Sequence, residues 1–438
     1  MKNVRPARTL AVLLALAAPA CFTTRGQFTE PHPRSGIDGG GGGSGEAGME
    51  GGDGGTGGDE PVATGGRGNP TGGRSGGGTG GTVSMDGGSG GTVPGTGGFM
   101  GPPGDPVTGK PGIWENVTPS VINLTPDFPS AGQNFGAQDV LADPAHPGTF
   151  YAFVCFQGVW KSTNWGLSWT KVSKDGNLEK GKPWGEAIAP DGSYMLASAG
   201  NYNGGAWRST DGGVTWTGHL QGGGNDPYMF DIDPRNKNHV ISTTHSTDIV
   251  YESNDGGVTW MNKGSIQGGG ISSYVFFITS TTWIVVSQSG SNGTNGTRRT
   301  TNSGASWTKV GSMEHLHGGV QLYIDPNNGA IYLPSEQGVY RSTNQGASFT
   351  QVSQGIASSI FATGNRIYAM RAGATGGFEP PTIQSATRAS GTDWAPITAP
   401  AKMTNGAKRA ATMLDANTGK WVIVGGHWMS GFWRLIEE

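Results

Sequence analysis

One phrase, Ser-Thr-(Asp/Asn)-x-Gly-x-(Ser/Thr)-Trp, returns along the last three quarters of this 438-residue chain at intervals of 42 to 47 residues. The clear copies run Ser162 to Trp169, Ser209 to Trp216, Ser253 to Trp260, Thr300 to Trp307 and Ser342 to Phe349, and an eroded sixth ends Gly391-Thr392-Asp393-Trp394. A period of this length marks a repeat architecture, in which no unit buries its own apolar face and each must stack on its neighbours.

Each unit has the same internal grammar. In the first, Gln138 to Ala142 is followed by Asp143-Pro144, then Thr149 to Val154, Gly158 to Lys161, the box, and Trp169 to Val172. These are four short β-patterned runs separated by turn signals, the composition of one propeller blade. A proline turn recurs after the first run at Ala189-Pro190, Asp233-Pro234 and Asp325-Pro326. Inside the box the Asp or Asn accepts from amides of its own turn, the Gly supplies a positive dihedral, and the aromatic folds under the hairpin. That leaves the box structural: the copies at Asn164, Asn302 and Asn344 carry Asn where a catalytic role would need an ionisable Asp.

The ends of the repeat region complete each other. Trp114-Glu115-Asn116-Val117 resembles an outer strand with no box before it, whereas Gly431 to Arg434 resembles a third run with nothing after it. The predicted fold is therefore an all-β, seven-bladed propeller over residues 111–438, with the N-terminal strand closing the last blade. Such closure removes free sheet edges.

Ahead of it, Lys2, Arg5 and Arg8 precede an apolar run from Leu10 to Ala18 that is too short to span a bilayer, the pattern of a signal peptide over 1–20. Ala18-Pro19-Ala20-Cys21 resembles a lipobox, so Cys21 is the expected lipidation site and the lipid the only expected membrane contact. Residues 21–110 are rich in Gly, Ser and Thr, too poor in apolar side chains to offset ordering entropy, and read as a flexible tether of roughly 50 Å reach. The expected location is extracellular or at the cell surface, as a bacterial outer-membrane lipoprotein, and the expected state is monomeric. A formal net charge of -3 argues against a nucleic-acid protein.

The boxes resemble the Asp-box (BNR) repeats of sialidases, xyloglucan-cleaving endoglucanases, sortilin-type receptor domains and a photosystem assembly factor. That resemblance implies the blade and leaves the activity open, since hydrolases, receptors and scaffolds share it. Two departures count against the named enzymes. Gly364-Asn365-Arg366-Ile367-Tyr368 lacks the proline of the sialidase R-I-P phrase, and Phe153 to Trp160 lacks the carboxylate that the xyloglucanase type carries there.

Up-and-down connectivity puts the boxes and proline turns on one face. The blade-to-blade connections and second-to-third loops share the other, where inner strands begin and propeller ligands meet the channel. Candidates on that face are Trp184, Asp226, Tyr228, His315, His317 and Arg409 from connections, and Tyr202, His245, Glu336, Arg371, His427 and Trp428 from loops. Histidine is the side chain best poised for proton transfer near neutrality. His315 and His317, two apart, would point the same way if extended. The functional expectation is a carbohydrate-active propeller that degrades a polysaccharide, with no metal or cofactor. Elimination would use His317 or His245 as base, Tyr202 or Tyr228 as acid, and Arg371 or Arg409 to neutralise a uronate. Hydrolysis would use Asp226 and Glu336. Trp184, Tyr202, Tyr228 and Trp428 could stack on sugar rings. The alternatives are a non-catalytic glycan-binding or adhesion module and a protein-binding scaffold.

Overall fold

The computed structural model describes residues 105–438 apart from 131–133, 175, 201–203, 221–225, 246, 267–272, 289–295, 316–318 and 372–380. The signal peptide, Cys21 and most of the expected tether lie outside the described residues, as do Tyr202 and His317.

Seven four-stranded antiparallel sheets follow one another as blades. Their inner strands are Ala137–Ala142, Glu186–Ile188, Pro227–Ile232, Tyr274–Phe277, Tyr323–Ile324, Ser359–Ala362 and Arg409–Asp415. Burial falls outward. The second strand of blade 4, Trp283–Val286, is wholly buried, while the outer strand of blade 3, Met261–Ser265, is almost wholly exposed. The sequence follows this gradient: the inner runs are mostly apolar, because both of their faces meet neighbouring blades, with isolated charged residues such as Asp139 and Glu186 among them. Aromatic side chains fill the seams, as where Trp169 of blade 1 lies 4.9 Å from Phe432 of blade 7 between ring centroids.

The ring closes as the sequence predicts. Glu115–Asn116 pairs antiparallel with Phe432–Ile436 and completes blade 7 from the N-terminal side. Residues just ahead of that strand also hold to the ring: Val107 N donates to Asp415 Oδ2 (2.9 Å), and the carbonyl of Asp105 accepts from Trp165 Nε1 (2.6 Å). Arg434, fully buried, donates to Glu115 Oε2, to Thr108 O and to Trp165 O, all at 2.7 Å.

The boxes are self-contained turns. In blade 3, Asp255 accepts from the amides of Val258 (3.1 Å) and Thr259 (2.8 Å) and from Thr259 Oγ1 (2.6 Å). In blade 1 the pattern is inverted, with Asn164 Nδ2 donating to Ser168 Oγ (2.8 Å) while its Oδ1 accepts from Ser168 N (3.0 Å). Asp boxes carry Thr at the seventh place and clear Asn boxes carry Ser, so each pair has one donor and one acceptor. The fourth residue takes a left-handed conformation even where it is not glycine, with φ of 61° at Trp165, 53° at Ser303 and 56° at Gln345. This turns its carbonyl toward the preceding blade.

Candidate functional site

The inner strands of blades 1 to 4 bring their first residues together at one mouth of the central channel, and a chain of aromatic rings runs around it. Trp184 is set two residues before its strand by Ser198, whose Oγ accepts from Trp184 N (2.8 Å) and Gly185 N (3.1 Å). Its indole stacks on the His245 imidazole with centroids 5.7 Å apart and planes within 7°. Tyr228 lies 5.0 Å from His245 and 4.9 Å from Tyr274, and Tyr274 meets His315 edge-on at 4.9 Å. On the other flank Phe135 sits 5.5 Å from Trp184, with the Lys182 ammonium 4.5 Å above the Phe135 ring.

His245 follows the second strand of blade 3, Val240–Thr244, and its N–H donates to Asp226 O (2.8 Å). Its Nδ1 is 3.8 Å from Asp226 Oδ2, and both side chains keep 18% of their surface accessible. Burial first, and then the charge of Lys182, hold the His245 pKa below its usual value. The ring is therefore neutral near pH 7, able to accept a proton, and Asp226 is placed to stabilise the cation that results.

Beneath the rings lies a charged cluster, to which the entry into blade 7 contributes Lys408 and Arg409. Lys408 Nζ donates to Asp139 Oδ1 (2.6 Å), Arg409 approaches Asp139 Oδ2 at 3.6 Å, and Arg409 also donates to the carbonyl of Glu186. Glu186 is fully buried, and burial together with the Asp139 charge raises its pKa well above the carboxylate range. Burial opposes charge on Asp139 too, but Lys408, the Glu186 proton and Arg409 outweigh it and pull Asp139 below its usual value. The two shifts run in opposite directions, so the pair favours a single negative charge, on Asp139. Asp139, Lys408, Arg409, Tyr274 and Gln321 help line a cavity of about 20 Å³, room for a water rather than a sugar. A carboxylate within an apolar inner-strand run, Asp139 in Ala137–Ala142 and Glu186 in Glu186–Ile188, was the available signal.

Several expected positions are not surface groups. Trp184, Tyr228, His315 and Trp428 are buried, so their rings pack against one another or the core instead of offering a platform to solvent. His427 is completely buried, its Nδ1 3.0 Å from Asn405 O, and burial lowers its pKa to about 4. It is a neutral core histidine. Asp226 and Glu336 belong to blades 3 and 5, and Asp226 pairs instead with His245. Arg371 is half-buried in the second-to-third loop of blade 6. Among the described residues, no group of three or more His, Cys, Asp or Glu is gathered to hold a metal. Nor is any helix among them long and apolar enough to cross a membrane.

No protein-family model matches this sequence, and no curated protein matches it. Solved structures do. The extracellular domain of a B. thetaiotaomicron protein described as a one component system aligns at a TM-score of 0.51 and 10% identity, over 74% of this chain and 40% of that one. The GH74 xyloglucanase from Xanthomonas campestris aligns at 0.49 and 16%, over 74% of this chain and 53% of that one. YCF48 from Cyanidioschyzon merolae aligns at 0.48 and 12%, over 74% and 98%. The likeness is one of fold. The chain spans 36% of the length of an ancestral GH74 enzyme that it also matches. A fold shared this widely leaves the activity to be argued from the site.

Proposed function

We propose that this chain is an exported, surface-tethered propeller that cleaves a uronate-containing polysaccharide by β-elimination at the channel mouth of blades 2 to 4. The observation that carries this reading is the neutral, accessible His245 beside Asp226. His245 takes the proton on the carbon next to the uronate carboxylate, the bond from the adjacent ring carbon to the glycosidic oxygen breaks, and that oxygen leaves with a proton. Asp226 balances the imidazolium. Lys182, whose charge already acts on His245, provides positive potential for the carboxylate, and Arg371 and Arg409 are the further cations proposed to neutralise it. Tyr202 is the proposed proton donor to the leaving oxygen, and His317 the alternative base.

Hydrolysis fits the site less well. Retaining and inverting glycosidases need two carboxyl groups about 5 to 9.5 Å apart with the sugar between them. Asp139 and Glu186 share a proton in a sealed cluster, and Asp226 faces a histidine. A second reading, a non-catalytic binding module, rests on the partial exposure of Phe135, His245 and Asp226 at the mouth, an aromatic edge beside a polar pair, while Trp184, Tyr228, Tyr274 and His315 are buried beneath it.

Incubating the purified chain with acidic and neutral polysaccharides, while following reducing ends and the ultraviolet absorbance of unsaturated ends, separates these readings. Both signals together mean elimination. Reducing ends alone mean hydrolysis, and binding without either signal means a recognition module. The surface anchor at Cys21 is tested by detergent partitioning of the wild-type and Cys21→Ser proteins expressed in a bacterial host.

A further inference from the structure

Lys408 stands where four blades meet. It precedes the inner strand of blade 7, and its ammonium, 3% exposed, crosses to Asp139 of blade 1 (2.6 Å) and to the carbonyl of Trp184 at the start of blade 2 (2.9 Å). Its stem meets the connection into blade 5: a Cβ on Gly319 would fall 2.8 Å from Lys408 Cγ, so that segment packs directly on the methylenes. Both polar groups of the Trp184 backbone are thus pinned, the N–H by Ser198 of its own blade and the carbonyl by a cation from blade 7. A charge-assisted bond of this kind is roughly twice as strong as a neutral one.

We infer that Lys408 is a positioning residue of the channel mouth, fixing through the Trp184 carbonyl the indole on which His245 stacks. The inference rests on the reading of His245 as the working group of the site, but its geometry stands apart from any reaction. The charge of Lys408 is tolerated there because Asp139 neutralises it, while Glu186 stays protonated and so adds no second negative charge. Among the described residues, Asp226, Lys182, Tyr228 and Trp184 face His245. None of them changes charge when Lys408 is replaced. What changes is the cover: an unpinned indole admits water to the imidazole, and burial is the leading cause of the lowered His245 pKa.

The test is a nuclear magnetic resonance titration of the His245 ring in the full chain, its signal assigned by its loss in His245→Gln. Asp139→Asn with Lys408→Met removes the two most buried charges together, while Arg409, which loses its contact with Asp139, keeps its bond to the Glu186 carbonyl and part of its solvent exposure. In this double variant the His245 midpoint should move up toward the ordinary value of about 6.5, with a melting temperature at or above that of Asp139→Asn alone, which strands the buried Lys408 charge. Asp139→Asn by itself keeps the bond to Trp184 and should leave the midpoint in place. An unmoved midpoint in the double variant, or an equal shift in Asp139→Asn, overturns the assignment. If the double variant does not fold, Ser198→Ala frees the other end of the same peptide, and an unmoved His245 there overturns it equally. No substrate is needed, so the outcome is independent of whether the chain cleaves a polysaccharide.

Discussion

Arg434 in the last strand of the chain donates Nε to the carbonyl oxygen of Trp165, 269 residues away in the box of blade 1, at 2.7 Å. The same bond recurs from Arg208 to Gly256 O (3.0 Å) and from Arg299 to Gln345 O (2.8 Å). In each case a third-strand arginine meets the fourth residue of the next blade's box, the residue whose left-handed backbone turns its carbonyl outward. The repeated phrase is therefore an inter-blade socket as well as a turn.

These arginines should not be equivalent. Arg434 is fully buried and also holds Glu115 and Thr108, so Arg434→Met strands a carboxylate and two carbonyls. A loss of about 3 to 5 kcal/mol is expected from breaking a buried pair. Arg208→Met forfeits one hydrogen bond and the cation–π contact with the Tyr194 ring (4.5 Å), and a loss of about 1 to 2 kcal/mol is expected. Urea unfolding of both variants measures the difference, and equal losses would refute the special role of the closing blade.

Removing residues 1–118 deletes the strand Glu115–Asn116 and exposes the edge of Phe432–Ile436. An unpaired strand edge is a template for association. Size-exclusion chromatography should show soluble oligomers or aggregate, whereas a chain truncated to begin at residue 105 should remain well behaved. A monodisperse product from the shorter chain would mean that the ring does not need its N-terminal strand.

The box carboxylates should be dispensable for activity. Asp255→Asn can reproduce the arrangement seen at Asn164 and should change stability by less than about 0.5 kcal/mol, as surface substitutions usually do. Asp255→Ala removes the acceptor of four hydrogen bonds, from Ser253 Oγ, Val258 N, Thr259 N and Thr259 Oγ1, and should cost about 1 to 2 kcal/mol, on the scale of a lost helix cap. Thermal melts check both values, and unaltered turnover in both is expected.

The buried acid pair shapes the response to pH on both sides of neutrality. The Glu186 pKa is raised by folding, so its contribution is complete below the unfolded value and is lost as pH rises through the folded one. Asp139 is lowered, and its contribution is lost as pH falls through its folded value. Glu186→Gln cannot ionise and should flatten the alkaline limb of a melting-temperature profile while leaving the acid limb in place. An unchanged alkaline limb would contradict the shared proton.

Blade count, box geometry and ring closure could all be read from the chain because each depends on local spacing: a box every 42 to 47 residues, proline after each of several inner strands, and Trp114 without a box. The site was legible only in part. Trp184, Asp226, Tyr228 and His245 were assigned to one face from connectivity alone, and the fold does bring them into contact. Their burial was not foreseeable, because it depends on how deeply each connection dips into the channel. His427 shows the same limit: its loop reads as solvated, yet its ring sits in the core beside Asn405. Asp139 and Glu186 escaped notice because they lie within strands that read as core. Only the arrival of Lys408 from the far end of the sequence makes such carboxyl groups tolerable there.

The most direct test of the account is turnover of uronate-containing polysaccharide by the wild-type chain and by His245→Gln, measured as growth of unsaturated ends beside a thermal melt of each protein. The account predicts elimination by the wild type and a loss of at least about 100-fold in His245→Gln, the lower range for a general base, with the melting temperature nearly unchanged. Equal rates in the two proteins, or no unsaturated product from any acidic polysaccharide, would contradict it.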